Sequence, residues 1–97
     1  MVIIKRFYEL LKNKEIPTEE AAQMRGEVLN EYENKLVKQG WKLSIGEGGV
    51  ISPDGSTVLY TNRPPYHGQL FQNSREGEKS FELIKEEFIK SGDFIEV

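Results

Sequence analysis

The spacing of the apolar residues changes at Gly40, and this change restricts the chain to folds that combine helices with a β-sheet. From Glu19 to Lys38 the apolar residues recur every three or four positions, which is typical of an amphipathic helix. From Trp41 to Ile45 they alternate with polar residues, which is typical of a strand with one buried face. The sequence therefore predicts a helical first part and a sheet-forming second part.

Two helices are predicted before Gly40. The first covers residues 3–14, because the apolar residues from Ile3 to Leu11 follow the helical spacing. Pro17 disfavours a helical conformation in the residue before it and so separates this helix from the next. The second covers residues 19–39, and Gly26 inside it costs roughly 1 kcal/mol relative to alanine. Gly26 is either a tolerated defect or the point at which another element crosses closely.

After Gly40 the sequence predicts a three-strand antiparallel meander over residues 41–45, 50–51 and 57–61, followed by a long loop. Helical spacing returns in a C-terminal helix from Phe81 to Ile89, and Phe94 to Val97 form a short terminal strand. The predicted fold class is therefore α+β, with helices on one face of a small antiparallel sheet, in a single domain of residues 1–97. We predict that inward-facing residues form the core between the sheet and the last helix: Trp41, Leu43, Val58, Tyr60, Phe81, Ile84 and Phe88.

Composition narrows the possible chemistry. The chain has no cysteine, and His67 is its only histidine, so thiolate chemistry and cysteine-based metal sites are excluded. We predict no metal site and no cofactor. The apolar run from Val2 to Ile4 is too short for a secretory signal or a membrane span. We therefore expect a cytoplasmic protein that does not bind membranes.

Residues 62–78 form the most informative segment, because they show neither period and contain two prolines and two glycines. We predict a long loop here, and structureless loops of more than about 12–15 residues are usually either binding loops or disordered segments. From Asn62 to Arg75 the segment has no acidic residue and gathers guanidinium, aromatic and amide groups. The candidate partner-binding residues are Arg63, Tyr66, His67, Gln69, Asn73 and Arg75.

This composition predicts a non-enzymatic protein-interaction or regulatory module that contacts a protein partner through the loop 62–75, since Arg and Tyr are common at interface hot spots. The alternative is a nucleic-acid-associated protein that uses the same loop, because guanidinium groups bind phosphate and aromatic rings stack on bases. The net charge of −3 and the presence of only two arginines in this loop favour the protein partner. A third reading is a small hydrolase or transferase with His67 as its acid or base. No nucleophile or metal-ligand pattern accompanies that histidine, so we predict no enzyme.

Overall fold

The computed structural model describes residues 1–97 and contains three α-helices, six strands and one short 3-10 helix. The helices are α1 (Lys5–Lys12), α2 (Thr18–Lys38) and α3 (Glu78–Lys90), and the 3-10 helix (Arg75–Gly77) directly precedes α3. The strands are β1 (Val2–Ile4), β2 (Lys42–Ser44), β3 (Gly49–Ile51), β4 (Thr57–Tyr60), β5 (Gln69–Gln72) and β6 (Phe94–Glu96).

All six strands belong to one sheet, in the order β2-β3-β4-β5-β1-β6. Every neighbouring pair is antiparallel. The predicted α+β class is confirmed, and so are the meander, which forms β2, β3 and β4, the C-terminal helix and the terminal strand. The sheet is nevertheless larger than predicted, because β1 and β5 extend it.

The prediction of a helix from residue 3 is wrong at its start, because Val2, Ile3 and Ile4 form β1 and the helix begins only at Lys5. In the sheet, Ile3 lies opposite Gln69 of β5 on one side and Ile95 of β6 on the other. Three consecutive β-branched residues favour a strand. Over so short a run, however, the apolar spacing fits a helix equally well. Pairing with strands distant in sequence decides between the two.

The prediction of a structureless loop over residues 62–78 is also wrong, because the segment contains β5 and the 3-10 helix. β5 lies inside the sheet, between β4 and β1. Its sequence, Gln69 to Gln72, has two apolar residues flanked by two amides, so it shows no alternation that would mark a strand. The irregular connection is reduced to residues 61–68, and a second short one joins β5 to the 3-10 helix.

One face of the sheet carries the main core. Side chains directly opposite each other in adjacent strands point to the same face, and the register places Val2, Leu43, Val50, Leu59 and Leu70 in one such row. The helices contribute Phe7 from α1 and Val28, Leu29, Tyr32 and Leu36 from α2 to the core that contains most of this row. Phe81, Ile84, Phe88 and Ile89 of α3 pack against the same core. We call this side the helix face.

The opposite side of the sheet, which we call the open face, has different partners. The register places Ile51, Val58 and Phe71 in one row of this face and Ile3, Gln69 and Ile95 in another. Val58 is fully buried but does not belong to the core cluster of the helix face. Ile51 and Phe71 are half-buried and do not pack against that cluster either. Ile3, by contrast, is buried and belongs to that cluster, and Ile95 packs against it. Only the row of Ile51, Val58 and Phe71 therefore lies apart from the core that the helices cover.

The predicted core is confirmed in part. Trp41 is buried, and Phe81, Ile84 and Phe88 of α3 are half-buried against the core. Leu43 was placed incorrectly, because it lies on the edge strand β2 and is 49% exposed. Val58 and Tyr60 were placed on the wrong side of the sheet, because Leu59 is the residue of β4 that enters the main core. Since β4 reads Thr-Val-Leu-Tyr, its alternation does not show which residues face the helices.

Phe88 gives a test of how α3 is held. Its ring lies between those of Trp41 and Phe94, with centroid distances of 5.7 Å and 4.9 Å. Because the ring is only half-buried, Phe88→Ala should lower the free energy of unfolding by about 2–3 kcal/mol, less than for a fully buried phenylalanine. Urea denaturation measures this loss. Leu83→Ala is the control, since Leu83 on the same helix is 62% exposed and its truncation should change stability by less than about 0.5 kcal/mol.

Gly26 is a tolerated defect rather than a crossing point, because a Cβ atom added there would meet no other atom within 4 Å. Gly26→Ala should therefore stabilise the protein by roughly 0.5–1 kcal/mol through helix propensity. Gly49→Ala provides the contrast, because a Cβ at Gly49 would overlap the carbonyl oxygen of Leu59 and should cost about 1–3 kcal/mol. Thermal unfolding of the two variants should shift in opposite directions, and a loss of stability in Gly26→Ala would contradict the open geometry.

Candidate interaction surface on the open face

Three aromatic rings form a cluster on the open face. Tyr60 ends β4, Phe71 lies in β5, and Tyr66 reaches them from the connection between these two strands. The ring centroids of both Tyr60 and Tyr66 lie 5.4 Å from that of Phe71, and the two tyrosines lie 6.1 Å from each other. Tyr66 is 41% exposed. The cluster therefore exposes part of its aromatic surface to solvent.

Arg63 extends this cluster. The central carbon of its guanidinium group lies 5.1 Å from the centroid of the Tyr60 ring, and its Nη1 lies 3.4 Å from the Tyr60 hydroxyl oxygen. Cation–π contacts of this kind are worth about 0.5–1 kcal/mol at exposed sites. The guanidinium forms no ion pair with a carboxylate. Arg63 is thus placed on an aromatic surface with its charge unneutralised.

Backbone hydrogen bonds fix the connection that carries Arg63 and Tyr66. The carbonyl oxygen of Gly48 accepts hydrogen bonds from the N–H groups of Thr61 and Asn62, at 3.0 Å and 2.8 Å. The N–H of Tyr66 donates to the carbonyl oxygen of Arg63 at 2.8 Å, across a cis peptide bond between Pro64 and Pro65. The start of the connection is therefore bonded to the residue before β3, and a turn within the connection brings Tyr66 close to Arg63.

Gly68 closes this connection where only glycine fits well. Its φ angle is +79°, a region that residues with a Cβ rarely adopt. A Cβ atom at Gly68 would also lie only 3.0 Å from the Phe7 ring. The N–H of Gly68 donates to the carbonyl oxygen of Tyr60 at 2.8 Å, which starts the pairing of β4 with β5. The chain enters β5 here with Phe71 directed to the open face.

The structure brings together only part of the predicted binding set. Arg63 and Tyr66 lie in the cluster, and Gln69 lies on the open face opposite Ile3. Asn73 and Arg75 follow the far end of β5, so they are separated from Tyr66 by the length of the strand. These residues therefore do not form one continuous site with the aromatic cluster.

Asn73 and His67 have different surroundings from each other. The side-chain amide of Asn73 donates to the carbonyl oxygen of Gly55 at 3.0 Å, and its backbone N–H donates to that of Ser56 at 2.7 Å. These bonds give Asn73 a structural role at the β3–β4 turn. His67 is half-buried, and its Nε2 atom is buried without a hydrogen-bond partner. Its ring is not presented as a contact group.

Sequence reasoning missed the strand residues of the open face, above all Phe71, Tyr60, Val58 and Ile51. The sequence predicts a loop at Phe71. It also predicts that Tyr60 and Val58 face the last helix. The available signal was the two-residue spacing of Tyr60 and Val58, which puts them together on one side of β4. The alternation does not show which side of the sheet the helices cover, so it does not distinguish the open face from the helix face.

A cluster of polar side chains lies in the β3–β4 turn, where its hydrogen bonds hold the turn together. The Asp54 carboxylate accepts hydrogen bonds from the Ser56 N–H at 2.9 Å and the Ser52 hydroxyl at 2.7 Å. These bonds hold the pKa of the Asp54 carboxyl well below its usual range. The Ser52 hydroxyl oxygen in turn accepts from the Thr57 N–H at 3.0 Å. The serine and aspartate side chains therefore form hydrogen bonds with other residues of the same turn.

No group of three or more His, Cys, Asp or Glu side chains is placed to hold a metal ion. None of the helices combines the length and the apolar character that crossing a bilayer requires. No protein-family model, curated protein or solved structure matches the chain.

The lowered pKa of Asp54 predicts how the turn responds to pH. A carboxyl group with a lower pKa in the folded state stabilises the fold above its unfolded pKa, and this contribution is lost as the pH falls through the folded value. Asp54→Asn should therefore be less stable than the wild type at pH 7, and the difference should shrink as the pH falls below about 4. Urea denaturation between pH 7 and pH 2 measures it. A difference that does not change with pH would show that the charge of Asp54 contributes nothing.

Proposed function

We propose that this chain is a non-enzymatic protein-interaction module that binds its partner through the open face, with the contacts centred on Arg63, Tyr66 and Phe71. The observation that carries the proposal is the aromatic cluster on the side of the sheet away from the helices, with an unpaired arginine lying on it. Tyrosine and arginine are the residue types enriched at interface hot spots. Patches of exposed apolar surface on small domains commonly mark interaction sites.

The fixed conformation of the connection supports binding to a macromolecular surface. Its backbone is hydrogen-bonded to Gly48 at one end and to Tyr60 at the other, so little conformational entropy remains to be lost when a partner docks. The aliphatic residue Ile51, which is half-buried, continues the apolar area beyond the aromatic rings. An apolar centre with polar groups at its edge is the usual composition of a protein interface.

A single-stranded nucleic acid is the alternative partner, because aromatic rings on a sheet surface together with an arginine also suit base stacking. Two observations favour protein. Arg63 covers part of the Tyr60 ring, which leaves less of that ring for a base. The strand residues of the open face also include several aliphatic side chains but only one cation, Lys42, whereas nucleic-acid modules carry a broader basic surface.

We propose no catalytic role for His67. Its Nε2 atom is buried without a partner, so it is not positioned to exchange a proton with a bound substrate. The other polar cluster, around Asp54, has its groups engaged within its own turn. The proposed module therefore works by binding alone.

Site-specific photocrosslinking tests this proposal. A benzophenone amino acid in place of Tyr66 should give discrete protein adducts in source-cell lysate, whereas the same group in place of Leu83, which is 62% exposed on α3, should not. The Tyr66 adducts should persist after nuclease treatment and disappear after protease treatment. Adding Arg63→Ala to the Tyr66 probe should reduce the adducts several-fold without changing the melting temperature by more than about 2 °C, since Arg63 is exposed.

The contrary outcomes of this crosslinking experiment are equally specific. Adducts that disappear with nuclease would show that nucleic acid is the partner. Equal adduct patterns from positions 66 and 83 would show that the open face is not the binding surface.

A further inference from the structure

The strand residues of the open face carry no negative charge, although Glu47 lies in the β2–β3 turn next to Gly48, which borders Arg63. The strand residues that the register directs to this face include Lys42 but neither aspartate nor glutamate, and Arg63 lies on the Tyr60 ring at its edge. The chain as a whole has 16 acidic and 13 basic residues. This face is therefore locally cationic on a protein whose net charge is negative.

Two acidic residues of the strands and their turns lie away from the open face, and a third is engaged within its own turn. Asp93, which precedes β6, lies 3.3 Å from the Lys35 ammonium of α2. Burial, together with the nearby Asp93 carboxylate, raises the pKa of Tyr32 to about 12. Glu96 lies opposite Val2, in the row of the helix face. Asp54 is bonded within its turn. Glu47 is exposed in the β2–β3 turn, outside the strands.

The two cations of the open face lie at opposite corners of an apolar area. Lys42 starts β2 opposite Ile51, whereas Arg63 follows the other end of the sheet, where β4 ends at Tyr60. Both side chains are exposed, and neither forms an ion pair. Between these corners lie Phe71, which is half-buried and partly accessible, and Val58, which is fully buried beneath its neighbours. A partner that covers this area meets apolar groups at its centre and an unpaired positive charge at each of two corners.

We infer that the occupant of the open face is an acidic amphipathic helix of a protein partner, with an apolar stripe against the sheet and carboxylates beside Arg63 and Lys42. This inference rests on the proposed function and specifies its partner. A helix is the usual second layer on the apolar side of a sheet, and the helix face of this sheet is covered in that way by α2 and α3. Charge complementarity selects an acidic helix.

A second copy of this chain fits the open face less well. Face-to-face packing would bring together two surfaces whose strands carry a lysine and no carboxylate, so like charges would approach without compensation. An oligonucleotide would satisfy the cations but would leave the partly exposed apolar side chains of Ile51 and Phe71 against a charged backbone. Both occupants are separate outcomes of the test.

The test uses two synthetic helical peptides of about 18 residues, or five turns. They share one leucine stripe and differ only in carrying glutamate or lysine beside it. Titration of the isotope-labelled full chain, followed by amide chemical shifts, should show the glutamate peptide binding with shifts at Ile51, Val58 and Phe71. The lysine peptide should bind at least about tenfold more weakly, as expected for two exposed charge contacts. Added salt should reduce the difference.

Charge-reversal variants assign this preference to the two cations. Arg63→Glu combined with Lys42→Glu should reverse the order of the two peptides, while Lys14→Glu combined with Lys38→Glu changes the net charge equally away from the open face and should leave the order unchanged. The same titration with oligothymidylate and sedimentation velocity of the free chain test the other occupants.

The outcomes separate this inference from the proposed function. Equal binding of both peptides to the open face would overturn the acidic helix and leave the protein-interaction module intact. Two results would overturn the inference by identifying another occupant. One is a stable dimer whose interface includes Phe71, and the other is oligothymidylate that binds the open face more tightly than the glutamate peptide does. No shift on the open face with the glutamate peptide at millimolar concentration would also overturn it. The photocrosslinks from Tyr66 would then decide independently whether the face binds protein.

Discussion

The pairing of β1 with β5 and β6 is the interaction on which the rest of the structure depends. Residues 2–4 lie between strands that begin at residues 69 and 94. β1 therefore joins β6 to the other four strands of the sheet. Ile4 is fully buried there, opposite Phe94, and Phe94 in turn contacts the rings of Tyr32 and Phe88. Strand pairing and the packing of α2 and α3 therefore stabilise each other.

β5 connects this core to the candidate binding surface. Leu70 points to the helix face and is buried in the core, whereas the next residue, Phe71, points to the open face and contacts Tyr60 and Tyr66. Because successive side chains of a strand alternate between faces, the position of Phe71 is fixed by the packing of Leu70. The aromatic cluster is thus positioned by a strand whose other face is buried in the main core, although its own rings lie outside that core.

Local patterns predicted most helices and the meander, because spacing over ten or more residues in α2 and α3 and the glycine-containing turns around β3 are strong local signals. They did not predict β1 or β5. Val2–Ile4 and Gln69–Gln72 are too short for a periodic signal, and their strand conformation comes from partners far away in sequence. The same limit applies to the candidate site: Arg63 and Tyr66 stand out by composition, but Tyr60 and Phe71 join them only through the β4–β5 pairing.

The position of β1 also has a consequence for how the chain acquires its fold. A strand formed by residues 2–4 cannot gain its second neighbour until residues 94–96 are available, whereas the β2–β4 meander needs only local contacts. Contacts between residues distant in sequence slow folding, because loop-closure entropy is lost before they form. During synthesis on the ribosome, the meander and α2 can therefore associate early. The edge of β1 that pairs with β6 stays unpaired until residues 94–96 have been made. That interval is when this protein is most exposed to strand pairing with other chains.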